Sequence, residues 1–217
     1  MIRQARIQDL PDIARVHRIC FPDSYSSQLC RMDTPFFGGN LLISFYLEYF
    51  NDNPELFWVA DDDEKGIVGF CMGYYMDKDD QMQNFMKHNR LRIIWKTFFL
   101  LLSFNNQAWK KIFSRIKHKP SLNDWTIVND RYENILNDQR GDLLSVCVVP
   151  DGRGKGYAQD MMDAFLAAMK NHGRKLLLLS VKTDNIRARK YYERNGFELY
   201  RKRGEDGLTY MKTRWRN

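Results

Sequence analysis

The sequence predicts one α/β domain, 1–217, with a helical insertion at 81–119, and three observations carry that reading. Apolar runs of strand length alternate with amphipathic stretches of helical spacing along most of the chain. One such run, LLSVCVVP at 143–150, leads straight into a glycine-rich loop and then a helix. A long basic and aromatic stretch interrupts the alternation midway. With 217 residues, 44% of them hydrophobic and 14% aromatic, the chain can bury a full core.

The opening reads as a strand over Ile2–Ile7, then a helix with Asp9 as N-cap and Pro11 in its first turn. Leu10, Ile13, Ala14, His17 and Cys20 fall on one face of it, where His17 reads as a packed residue rather than a ligand. A second helix covers Leu41–Phe50. Strands at Leu56–Ala60 and Ile67–Met76 flank the acidic turn DDDEKG, a hairpin signal. Within the insertion, the apolar run Ile93–Phe104 falls short of the roughly 20 residues that a membrane span requires. Trp109, Ile112, Phe113 and Ile116 then form a helical stripe, with Lys110, Lys111, Arg115 and Lys117 on other faces. Three readings stand for this insertion: a helical hairpin packed on the domain, a homodimer contact or lid over the acceptor site, or a peripheral membrane contact through 91–117.

The segment after Pro150 is chemically the most informative. Gly152, Gly154 and Gly156 let backbone N–H groups approach a ligand and adopt positive φ. A helix starting near Tyr157 adds orphan N–H donors and the positive end of a dipole. Arg153 and Lys155 add full charges, which suits a polyphosphate. Neither common nucleotide loop is present, because no Lys-Ser or Lys-Thr follows a glycine and the glycine spacing is not G-x-G-x-x-G. Further on, the strand-like Leu176–Val181 leads to Lys182-Thr183-Asp184-Asn185, the helical IRARKYYERN and then Gly196, placed just past a helix C-terminus. A last strand pair covers Phe197–Arg203 and Leu208–Arg214 around the turn GEDG.

Arg153-Gly154-Lys155-Gly156-Tyr157-Ala158 resembles the [Gln/Arg]-x-x-Gly-x-[Gly/Ala] pyrophosphate loop of the GNAT superfamily of acetyl-CoA-dependent N-acyltransferases. Asn185-x-x-Ala188-x-x-x-Tyr192-x-x-x-Gly196-Phe197 is similar to the second signature of that superfamily, in the right order and at the right distance. The resemblance implies a central mixed, mostly antiparallel sheet flanked by helices, acetyl-CoA as co-substrate, and transfer of an acetyl group to a primary amine. It implies that Val146, Cys147 and Val148 pair with the pantetheine arm, one N–H serving as oxyanion donor, and that Arg153, Gly154, Lys155, Gly156, Tyr157 and Ala158 hold the pyrophosphate. Asn185 would hydrogen-bond the pantetheine arm. Tyr192 would protonate the departing thiolate, since a phenol of pKa near ~10 can hand a proton to an alkyl thiolate.

The general base has no motif. Family members that act on peptide N-termini often carry a Glu where Ser180 stands. Asp77, Glu133 and Asp142 are candidates, each also readable as a solvated or turn carboxylate. The opening ARVHRICFPDSYSSQL, with the basic insertion, looks like members associated with surface-polysaccharide assembly. That looser resemblance implies a small-molecule amine acceptor, an amino sugar or nucleotide-linked amino sugar. The alternatives are a protein N-terminus or lysine as acceptor, or an acyl-CoA-binding module without turnover.

Composition fits an anion-handling enzyme. A net charge of +7 draws anionic substrates, and no nucleic-acid motif accompanies it. Cys20, Cys30, Cys71 and Cys147 form no CxxC pair, and the four histidines lack ligand spacing, so no metal is expected. MIRQARIQDL lacks the apolar core of a signal peptide, and a cytoplasmic location is expected.

Overall fold

The computed structural model describes residues 1–30, 40–77, 80–102, 125–127, 139–203 and 207–212. Its framework is an eight-stranded sheet built from β1 (Ile2–Gln4), β2 (Phe57–Asp62), β3 (Gly66–Tyr75), β4 (Trp125–Ile127), β5 (Arg140–Val148), β6 (Leu176–Lys182), β7 (Glu198–Arg203) and β8 (Gly207–Lys212). The spatial order is β1-β2-β3-β5-β6-β8-β7-β4. Among the described residues only β5 and β6 run parallel, so the sheet is mixed and mostly antiparallel, as the sequence leads one to expect. The crossover between that parallel pair is a helix, the usual way to join parallel neighbours.

The described helices are α1 (Leu10–Cys20), α2 (Tyr25–Cys30), α3 (Leu41–Asp52), α4 (Gln81–Leu102), α5 (Tyr157–Asn171) and α6 (Ile186–Arg194); α1, α3 and α5 pack on the sheet, and α4 packs on α2 and α3. Period-2 alternation along β3 decides which helix meets which face. Phe70 meets the Tyr46 ring of α3 at 5.5 Å between centroids. Gly69 and Gly73, each an odd number of residues away, face α5 instead. A Cβ on Gly73 would stand 2.1 Å from the Asp142 carbonyl and 2.6 Å from the Phe165 ring, so only glycine lets β3, β5 and α5 approach this closely. Ile13, Ala14, Val16, Phe57, Phe70, Met161 and Phe165 are fully buried at the centre of this sandwich.

Several boundaries differ from expectation for identifiable reasons. β1 stops at Gln4, although the Ala5 N–H still donates to the Phe57 carbonyl at 2.8 Å. Asp9 does stand at the α1 N-cap position but makes no side-chain cap bond. Its carboxylate accepts from Arg3 at 2.7 Å and from the Arg6 N–H at 2.7 Å. β2 runs on to Asp62, two residues past Ala60, and so carries that carboxylate to the end of the strand.

α4 accounts for the first part of the insertion; residues 103–124, with the Trp109–Ile116 stripe, lie outside the described residues. Its amphipathicity is unusual. Gln81, Asn89 and Lys96 are buried with Phe85, while Leu91, Ile94, Trp95, Phe98 and Leu102 are exposed. α4 is tied to the N-terminal helices by Tyr25 with Thr97 at 2.6 Å and His88 with Glu48 at 2.8 Å. Among the described residues, no helix is long and apolar enough to cross a membrane.

Candidate active site

The parallel pairing of β5 and β6 ends early. Arg140 to Leu143 lie beside Leu176 to Leu179, and beyond that point the strands part. β5 stays on β3, with Val146 opposite Cys71, Cys147 opposite Phe70 and Val148 opposite Gly69. β6 stays on β8, with Ser180 opposite Thr209. A wedge therefore opens between the ends of two central strands.

Alternation assigns the peptide groups that line this wedge. The Val149 N–H donates to the Val68 carbonyl at 2.8 Å, toward β3. Cys147, two residues earlier, turns its peptide groups the same way, and those of Val146 and Val148 point into the wedge. Of the three residues that the sequence suggests for the pantetheine arm, Val146 and Val148 turn their peptide groups into the wedge and Cys147 turns its groups toward β3. The Cys147 side chain instead meets the Cys20 thiol of α1, and burial pushes the Cys147 thiol well up from its ordinary range.

The glycine loop begins where β5 ends. A single 3-10 turn, Pro150–Gly152, uses the Gly152 and Arg153 N–H groups on the Val149 and Pro150 carbonyls. Gly154 and Gly156 both have φ 83°, which a side chain would strain. Gly156 serves as N-cap of α5 without any side-chain cap, so the N–H groups of the first turn point out toward the loop. Such a bare helix N-terminus, opening from a left-handed glycine, suits a phosphate.

Both basic side chains of the loop are engaged. The Arg153 Nε donates to the Val148 carbonyl at 3.3 Å. The Lys155 Nζ donates to Asp62 Oδ2 at 2.9 Å, and the Tyr157 hydroxyl donates to the same oxygen at 2.9 Å. These bonds, Lys155 foremost, hold the Asp62 carboxyl down at about 2. Asp62 carried no signal of this kind in the sequence, where it read only as part of an acidic turn.

On the other flank, Asn185 caps α6, its side-chain oxygen accepting from the Ala188 N–H at 3.1 Å. Its amide NH₂ and the second lone pair of its oxygen are left for a ligand. Gly196 has φ 76°, as its place after α6 requires. Tyr192 is buried, with its ring against Phe197 at 5.9 Å and Tyr191 at 5.6 Å. Burial, with smaller contributions from Cys71 and Cys147, pushes its phenol up, so it stays protonated at neutral pH. Tyr191 plays a structural part instead. Its hydroxyl donates to the Ala158 carbonyl at 2.7 Å and ties α6 to the first turn of α5.

The corner between α1 and α2 carries a polar network that no motif announces. His17 Nδ1 hydrogen-bonds the Tyr46 hydroxyl, and Nε2 lies 3.2 Å from both Ser24 and Ser26. Burial lowers the imidazole to about 4. Of the candidate bases, Asp77 pairs with Arg174 at 3.2 Å, and Asp142 lies on the paired end of β5, below the wedge. Glu133 is outside the described residues. Among the described residues, no three His, Cys, Asp or Glu side chains are grouped to hold a metal.

Known proteins share both the sequence of this region and its fold. Residues 125–197 match the model of the Acetyltransferase (GNAT) family, the span that contains the wedge, the loop and Tyr192. N-alpha-acetyltransferase 30 of Schizosaccharomyces pombe is 33% identical over 78 residues, 33% of this chain and 52% of that protein. The chain thus spans about half the length of this relative. The N-alpha-acetyltransferase of Saccharolobus solfataricus is 23% identical over 198 residues, 91% of this chain and 79% of that protein. Among solved structures, PaiA N-acetyltransferase from Thermoplasma acidophilum, in complex with coenzyme A, shares the fold with a TM-score of 0.55 at 15% identity, over 99% of this chain and 98% of that one.

Proposed function

We propose that this chain is a GNAT acetyltransferase, of the family whose model matches residues 125–197, and that it uses acetyl-CoA to acetylate the α-amine at a polypeptide N-terminus. The wedge between β5 and β6, set directly against the bare N-terminus of α5, is the observation that carries the chemistry. The choice of acceptor is supported by the two relatives named above, both N-alpha-acetyltransferases. They favour a polypeptide N-terminus over the amino sugar that the opening segment suggested.

Acetyl-CoA supplies a thioester, whose carbonyl carbon the amine attacks as the C–S bond breaks. A Val146 or Val148 N–H directed into the wedge meets the negative charge that develops on the thioester oxygen. Such a donor needs no reorganisation, because β3 holds the strand rigid from its other side. Tyr192 serves the departing sulfur as hydrogen-bond and proton donor; burial keeps its phenol protonated until then, although the same burial makes it a weaker acid. The Gly154–Ala158 backbone and the α5 dipole hold the pyrophosphate.

Ser180 supplies no strong base, and an α-amine asks less of one than a lysine does. An α-amine has a pKa of about 8, against about 10.4 for a lysine, so a fair share of it is already free base at neutral pH. Its last proton can leave through water, and a strong base beside it is not required.

The test is CoA release from acetyl-CoA, with peptides bearing a free N-terminus in one pool and nucleotide-linked amino sugars in another. Release with peptides alone supports the proposal. Release with sugars alone overturns the acceptor, and binding without release in either pool overturns the catalytic reading.

A further inference from the structure

We propose that Asp62, at the end of β2, is a positioning residue that sets the shape of the CoA pyrophosphate loop from across the sheet. The inference rests on the reading of that loop as the CoA site. It concerns a residue outside both sequence signatures, joined to Lys155 over 93 positions of chain.

Asp62 is itself fixed before it meets the loop. It pairs with Gly66 at the mouth of the β2–β3 hairpin, and its Oδ1 accepts from the Glu64 N–H at 3.3 Å. This leaves Oδ2, which accepts from Lys155 Nζ and from the Tyr157 hydroxyl, each at 2.9 Å. The two donors flank Gly156. Gly154 and Gly156 give this stretch wide conformational freedom, which costs entropy when a ligand orders it. A single carboxylate holding residues on both sides of Gly156 removes much of that freedom beforehand. The loop's N–H groups then stand ready for phosphate, and the gain appears as affinity through preorganisation.

The arrangement also redistributes the roles of the loop cations. With its ammonium on Asp62, Lys155 acts as a strut rather than as the principal charge on the phosphate. Recognition then rests on backbone N–H groups, the helix dipole and the free end of the Arg153 guanidinium.

Equilibrium binding of CoA and of pantetheine, which lacks the pyrophosphate, separates this role from a general loss of structure. The quantity read is the ratio of the two affinities in wild type, Asp62→Asn, Lys155→Met and the double variant. Asp62→Asn should lower the ratio roughly tenfold, the size expected when one charge-assisted hydrogen bond is lost. The double variant should lose no more than the larger single loss, because both changes break one strut. A ratio that stays constant or rises in Asp62→Asn overturns the proposal, since Asp62 would then be inert or a competitor for Lys155. Equal losses for CoA and pantetheine overturn it too, showing a fold effect. A wild type with no preference for CoA over pantetheine overturns the CoA reading itself and this inference with it.

Discussion

The half of the molecule from β5 through α6, which we propose holds acetyl-CoA as a cofactor half, and the half from α1 through α4, which we propose as the acceptor half, are built on different principles. In the cofactor half the proposed functional groups are mostly backbone: two wedge-facing peptides, a left-handed loop and an uncapped helix end. Backbone geometry of this kind needs glycine at fixed places, and so it writes a readable spacing into the sequence. In the acceptor half the candidate groups are side chains on ordinary amphipathic helices, His17, Ser24, Ser26 and Tyr46 among them. They meet only through tertiary packing, and nothing in their spacing reveals it.

The contrast is sharpened first by Tyr192, the one side chain of the cofactor half assigned to the chemistry. Tyr192→Phe should lower kcat roughly 10²- to 10³-fold, the ordinary worth of a positioned proton donor, with acetyl-CoA affinity nearly unchanged. Steady-state kinetics beside equilibrium binding reads both; an unchanged kcat removes Tyr192 from the mechanism.

His17 tests the other half. Its folded pKa of about 4 lies below the ordinary 6.5, so folding favours the neutral ring. That contribution is complete above about pH 6.5 and is lost as pH falls toward about 4, by roughly 3 kcal/mol in all. Denaturant unfolding of wild type and His17→Gln at pH 7 and pH 4.5 should show a difference that shrinks in acid. A constant difference would mean that the ring titrates alike in the folded and unfolded chain, so that burial does not shift it.

Gly73 tests the junction of the two halves. Gly73→Ala should destabilise the chain by roughly 1–3 kcal/mol, because the new Cβ meets a carbonyl and a buried ring. Thermal unfolding checks it. The smallest effect belongs to the exposed Asp12–Arg15 pair on α1, where Asp12→Asn should change stability by less than about 0.5 kcal/mol.

What the sequence revealed follows the same division. The loop and the end of α6 were legible because Gly154, Gly156 and Gly196 occupy positive φ, and few other residues can. That Val146, Cys147 and Val148 pair with the pantetheine arm was expected from resemblance, but which peptides face the wedge depends on the β3 register and is read from the Val149 bond to Val68. Asp62 was hidden because its partners lie far along the chain, and an acidic turn is by itself an ordinary feature. The edge strand β4, paired with β7 through Trp125–Arg203, left no pattern of its own in so short a run.

The most direct test of N-terminal acetylation is the position of the acetyl group on a peptide carrying both a free N-terminus and an internal lysine, read by tandem mass spectrometry after incubation with acetyl-CoA. The expected product carries acetyl on the α-amine, with the lysine untouched. Acetyl on the lysine alone, or on neither amine while acetyl-CoA remains bound, would contradict it.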